Sequence, residues 1–156
     1  MLSKHYEIEK VIMGRLSYNA DLLEELTNFC NKNDIKTGWI SVIGAVKNIK
    51  LGFYDQKEHK YVYLSDEDFV KSDFDKQNPK LPDYEISSCM GNISVKDNKS
   101  FLHLHIVVSD RNGRCFGGHL MPGTKVYAGE FNIQVLKGEE LVRGIDSETN
   151  LPLWVE

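Results

Sequence analysis

The stretch "FLHLHIVVSDRNGRCFGGHL", residues 101–120, decides how this chain folds and where its chemistry lies. Side chains alternate faces along a strand, so His103 and His105, two positions apart, point the same way. Whether His119 joins them depends on the turn, because a slip of one residue reverses the face of every side chain beyond it. Residues 110–114, "DRNGR", answer that question. A three-residue loop of Arg111, Asn112 and Gly113, with Gly113 left-handed, is a common hairpin form and sets Asp110 opposite Arg114. His105 then lies opposite His119, at the ~4.5–5.5 Å spacing of cross-strand neighbours, with His103 one step along the same face. The other face collects Leu102, Leu104, Ile106, Val108, Phe116 and Leu120, the apolar surface a core requires. On the histidine face, Gly117 opposite Val107 and Cys115 opposite Ser109 leave room beside the rings.

Three neutral imidazoles on one face can hold a borderline divalent ion at ~2.0–2.1 Å, and three protein ligands with an open fourth position characterise accessible zinc sites. Zinc is the first expectation for His103, His105 and His119, with nickel, copper or iron as alternatives, since selectivity follows geometry and availability. Cys115 offers a fourth ligand through its C-x-x-x-H spacing but reads better as a small buried thiol. Glu130, in "AGEFNIQVL", alternates with Phe131, Ile133 and Val135 and is a candidate general base beside the ion. His5 and His59 stand in polar contexts at strand ends and read as surface residues.

Working outward, "HYEIEKVIMGRL" reads as a first strand over residues 5–14. In "NADLLEELTNFCNKN", Leu22, Leu23, Leu26, Phe29 and Cys30 recur at helical spacing, with Asn19 as the expected cap and Asp21 favouring the positive end of the dipole. The glycine-punctuated "IKTGWISVIGAVKNIKLGFYD" gives one bent strand or two strands with a bulge, and "HKYVYLS" follows after a polar turn. Residues 66–83, acidic and broken by proline, are expected to form a surface loop or subunit contact. From residue 84 the text is strand after strand, ending in "LPLWV". One early helix and many antiparallel strands predict an α+β fold, a mostly antiparallel sheet with one main helix packed on it, in a single domain over residues 1–156.

The composition bounds the function. The 156 residues are 41% hydrophobic and 27% charged, enough for one globular core. No apolar run reaches the ~18–20 residues of a membrane span and the N-terminus lacks a secretory core, so a cytoplasmic protein is expected. Three cysteines without a C-x-x-C pair argue for reduced thiols. A formal charge of −4, with no block of Lys and Arg, gives no electrostatic footprint for nucleic acid.

Several segments together, "GRLSYNADLLEEL", "GWISVIGAVKNIKLGFYD", "YEISSCMGNIS", "FLHLHIVVSD", "GRCFGGHL" and "VYAGEF", resemble the plants-and-prokaryotes-conserved (PPC, also PCC) domain family over roughly residues 6–145. In plants this domain follows AT-hook motifs; bacterial and archaeal members usually stand alone and carry a provisional DNA-binding label. The resemblance implies an antiparallel sheet with a packed helix, a homotrimer, and correspondence of His103, His105 and His119 to the family's histidine cluster, seen with metal in some members. The chain departs from the family at "VKDNKS", where Gly often follows the Asp. It has no R-G-R-P core of an AT-hook, so the DNA-binding label transfers poorly.

These readings converge on a stand-alone, homotrimeric PPC-domain protein that holds a metal, a regulatory module binding DNA or another partner. The alternative is a zinc-dependent hydrolase or lyase in which His103, His105 and His119 hold the ion and Glu130 shuttles protons. A third role is structural, the histidines knitting the trimer together.

Overall fold

The computed structural model describes residues 1–69 and 83–155. Strands β1 (Glu7–Arg15), β2 (Gly38–Lys47), β3 (Lys50–Asp55), β4 (Lys60–Ser65), β5 (Tyr84–Lys96), β6 (Lys99–Ser109), β7 (Cys115–Leu120) and β8 (Lys125–Lys137) form one sheet in the order β1-β8-β2-β5-β6-β7-β3-β4. Every neighbouring pair in it is antiparallel. Strands β9 (Arg143–Ile145) and β10 (Pro152–Trp154) make a separate two-stranded ribbon. Helix α1 (Leu22–Lys32) is the main helix, and α2 (Asp66–Phe69) is a single turn. Strand therefore outweighs helix more heavily than the label α+β conveys. Of the acidic connection expected at residues 66–83, residues 70–82 lie outside the described residues.

Alternation explains the layering. Along β6, Leu102, Leu104, Ile106 and Val108 are buried while His105 and Val107 between them are exposed, the pattern of a sheet covered on one face. Helix α1 supplies part of the cover through Leu22, Leu26 and Cys30, all 0% exposed, which belong to the same core as Ile40, Cys89, Leu104 and Ile133. Burial pushes the Cys30 and Cys89 thiols up to about 12, so both are inert core groups.

The helix start differs from the sequence expectation. Asp21 caps α1, its Oδ1 accepting from the Glu24 amide at 3.1 Å, and its Oδ2 also accepts from the Gly123 amide. Asn19 instead sits left-handed, at φ 66°, in the preceding turn, where asparagine pays less for that conformation than most residues.

Two hairpins fix the registers that matter. Asp97 and Asn98, at φ 52° and 60°, form the two-residue link between β5 and β6, as a type I′ turn requires. Asn98 takes the second left-handed position of this turn, so the departure expected at "VKDNKS" leaves the turn intact. The second hairpin is the three-residue loop expected of "DRNGR". Gly113 is left-handed at φ 74°, the Asp110 amide donates to the Arg114 carbonyl at 3.0 Å, and the Gly113 amide donates to the Asp110 carbonyl at 2.9 Å.

Strands β5 and β6 also meet closely at Gly91, where an added Cβ would collide with the His103 carbonyl oxygen. Gly91→Ala is expected to lower stability by about 1–3 kcal/mol through overpacking, read as a lower denaturant midpoint. An unchanged midpoint would contradict so close an approach.

Candidate metal centre

The register of the β6–β7 hairpin pairs His105 with His119, and that of β5–β6 pairs Met90 with His105 and Asn92 with His103. All three imidazoles therefore share the sheet face away from α1, at spacings set by backbone ladders. Asp110 secures the turn: its Oδ1 accepts from the Asn112 and Arg114 amides at 2.8 and 3.0 Å, and its Oδ2 accepts from Arg114 Nε at 2.6 Å. These contacts hold the Asp110 carboxyl below the usual range even though its desolvation acts the other way.

One ring nitrogen from each of His103, His105 and His119 lies within 4.8 Å of the others. His103 Nε2 and His105 Nε2 are 3.3 Å apart. A tetrahedral ion with Zn–N distances of ~2.0–2.1 Å holds its nitrogens ~3.3–3.4 Å apart, so this pair already has the separation of two ligands. His119 Nδ1 is buried and has no hydrogen-bond partner, an orphaned polar atom on a ring of this cluster. The donor set is one that a borderline divalent ion accepts.

Burial pulls His103 and His119 down to about 4, helped at His103 by Arg143 and then His105, and at His119 by His103, His105 and Arg143. Both rings are thus neutral near pH 7, the state in which imidazole binds metal.

Arg143, on β9, is the residue that sequence reading missed. The residue is 8% exposed. Nε donates to Ser94 Oγ at 2.7 Å, Nη1 to the Pro152 carbonyl at 2.6 Å and Nη2 to Asn92 Oδ1 at 2.8 Å. The guanidinium carbon lies 5.1 Å from the Phe101 ring centroid and 5.8 Å from that of Trp154. Nη2 also stands 3.5 Å from His103 Nδ1, and because a guanidinium only donates, Nδ1 is the acceptor of that pair. In the metal-free protein His103 Nε2–H then donates to His105 Nε2; for Nε2 of the neutral ring to bind an ion the proton moves to Nδ1, which ends its acceptance from Arg143. Tyr61 closes another side, its ring centroid 5.5 Å from that of His119.

The other sequence candidates lie elsewhere. Glu130 is exposed on β8, and β2 and β5 intervene between β8 and β6. Three strand spacings put it ~14 Å from the histidine strand, so this chain does not bring it to the rings. The reading of Glu130 as the polar side of a strand with an apolar other face agrees with its exposure, but the sheet order separates it from the histidines. Cys115 is exposed rather than buried and, among the described residues, is not part of the cluster. His5 and His59 are exposed, as expected.

The chain matches the model of the Plants and Prokaryotes Conserved (PCC) domain over residues 3–145. It belongs to that family. The fold is similar to that of a metal-containing protein from Archaeoglobus fulgidus, 33% identical, with 100% of both chains covered and a TM-score of 0.86. A plant- and prokaryote-conserved protein from Pyrococcus horikoshii is 30% identical, covering 100% of this chain and 98% of that one, at a TM-score of 0.84. A candidate DNA-binding protein from Bacteroides thetaiotaomicron is 25% identical over 97% of this chain and 96% of its own, at 0.79. The chain is also 30% identical over 114 residues to the bifunctional protein GlmU of Synechococcus sp. (strain JA-3-3Ab), a match that takes in 72% of this chain and 15% of that protein's length.

The depressed histidines have a consequence for the metal-free protein. In the unfolded chain imidazole takes up its proton near pH 6.5, whereas folded His103 and His119 resist until about 4. Protons bind first to the unfolded state, so stability falls as pH drops through that window. Denaturant midpoints measured from pH 7 to 4 are expected to fall less steeply in a His103→Gln/His119→Gln variant than in the wild type. Equal slopes would contradict the burial of these rings.

Proposed function

We propose that this chain is a PCC-domain protein, one domain over residues 1–156, acting in the cytoplasm as a metal-holding regulatory module. His103, His105 and His119 hold one divalent transition ion, zinc first, in each subunit of a homotrimer. The convergence of three ring nitrogens within 4.8 Å carries the reading. The kinship over its whole length with a metal-containing protein supports it.

The trimer is supported by an uncovered apolar surface. Following the pairings from His105 through Met90 and Ser41 to Asn132 and Met13 identifies one continuous sheet face. On it Met13, Ile43, Met90 and Trp39 are 76, 63, 47 and 44% exposed. Exposed apolar groups concentrated on one face mark a contact surface.

The partner is DNA or a protein. A net charge of −4 weighs against a phosphate-dominated contact, while relatives carry a DNA-binding description. The hydrolase or lyase alternative loses its proposed base, since Glu130 lies three strands away within the subunit. Among the described residues, no helix is long and apolar enough to cross a membrane.

Elemental mass spectrometry on untagged protein is expected to find near-stoichiometric zinc or another divalent transition metal, lost in His103→Ala and in His119→Ala. A metal-free, well-folded wild type would remove the metal reading. Sedimentation equilibrium is expected to give three times the subunit mass, reduced in Met13→Asp. A monomeric wild type would remove the trimer. DNA affinity that falls steeply between 50 and 200 mM salt is the signature expected of a phosphate contact. Its absence would direct attention to a protein partner.

A further inference from the structure

We propose that the open position of this metal site takes an oxyanion, a carboxylate or phosphate group, and that Arg143 is the fixed cation that favours negative charge there. The inference rests on the metal reading above and concerns what completes the site.

Charge balance carries the argument. Buried arginines are ordinarily paired with a carboxylate, because an uncompensated charge out of water is costly. Arg143 is 8% exposed, yet its acceptors Ser94 Oγ, Asn92 Oδ1 and the Pro152 carbonyl are all neutral. No ion pair to it occurs among the described residues. The histidine cluster likewise contains no Asp or Glu among the described residues that could serve as a ligand. A divalent ion on three neutral imidazoles beside one guanidinium places three positive charges together with no carboxylate paired to them among the described residues. Water at the open position would leave that excess in place, whereas an anionic oxygen would offset part of it.

The charge of Arg143 is also fixed in place. Three hydrogen bonds and the rings of Phe101 and Trp154 hold the guanidinium, so it cannot swing away when the site is loaded. Preorganised charge of this kind acts on a bound anion without a reorganisation cost. Arg143 touches His103 from the Nδ1 side, behind the ring, so it is a positioning residue whose field crosses the imidazole.

The test uses full-length protein loaded with cobalt(II), whose visible spectrum reports the fourth ligand, with cobalt content measured independently. Inorganic phosphate, acetate and neutral imidazole are titrated in turn. In the wild type, phosphate or acetate is expected to shift the spectrum saturably, and the one acting at lower concentration identifies the phosphate or carboxylate source. Arg143→Gln is expected to weaken that anion about tenfold or more, leaving imidazole binding unchanged. Arg143→Met, an apolar replacement of similar volume that buried sites often tolerate, is expected to do the same should the Gln variant not fold. Arg143→Lys is expected to retain most of the anion affinity.

A cobalt-loaded wild type whose spectrum ignores both anions overturns the proposal while leaving the metal reading intact. So does an anion affinity that is equal in the wild type and in the neutral variants. Failure to load cobalt at all overturns the metal reading, and this proposal falls with it.

Discussion

The structure depends on one constraint: the turn at residues 110–114 allows a single register between β6 and β7. Asp110 accepts hydrogen bonds from two amides and from Arg114, and Gly113 takes the left-handed position that lets a three-residue loop close. That register places His105 opposite His119 and Ile106 opposite Gly118. A one-residue slip would turn His119 into the core and Phe116 and Leu120 out of it, so stability and site geometry are enforced by the same hydrogen bonds. The core thus protects the site: a register shift that took His119 from His103 and His105 would also lift Phe116 and Leu120 out of the core.

Around this frame the remaining strands divide their labour. Strand β5 brings Asn92 and Ser94 beside the histidine strand, and the β9–β10 ribbon folds back so that Arg143 can bond to both. The ribbon is tied down at its tip, where Asp146 Oδ2 accepts from the Thr149 amide and hydroxyl, and Tyr54 on β3 donates to the Thr149 carbonyl. The histidine end of the sheet is therefore roofed by the C-terminal ribbon, while the β1-β8-β2-β5 end presents exposed apolar side chains. One face of one sheet carries two surfaces of different chemistry.

Much of this was legible in the sequence because it is local. The alternation in "FLHLHIVVSD" and the turn chemistry of "DRNGR" are short-range rules, and together they placed three histidines on one face. The helical spacing of Leu22, Leu26 and Cys30 likewise gave α1 its buried side. Long-range facts were not legible. Glu130 lies on a strand whose polar face was read correctly, but only the sheet order reveals that β2 and β5 stand between it and the histidines. Arg143 lies in "LVRGID", where a lone arginine carries no sign of burial, and its partners on β5 and β6 are 40 to 51 residues away in sequence. The cap was misassigned for a local reason: Asn19 and Asp21 are both good caps, and the choice is made by Gly123, whose amide also binds Asp21.

X-ray absorption spectroscopy at the metal edge of the untagged protein tests the central claim most directly, because it reports the ligand set itself. The account predicts three imidazole nitrogens and one further nitrogen or oxygen, at about 2.0–2.1 Å for zinc. A sulfur shell near 2.3 Å would contradict it by bringing in a cysteine. A coordination shell without imidazole scattering would show that His103, His105 and His119 converge for some reason other than holding an ion.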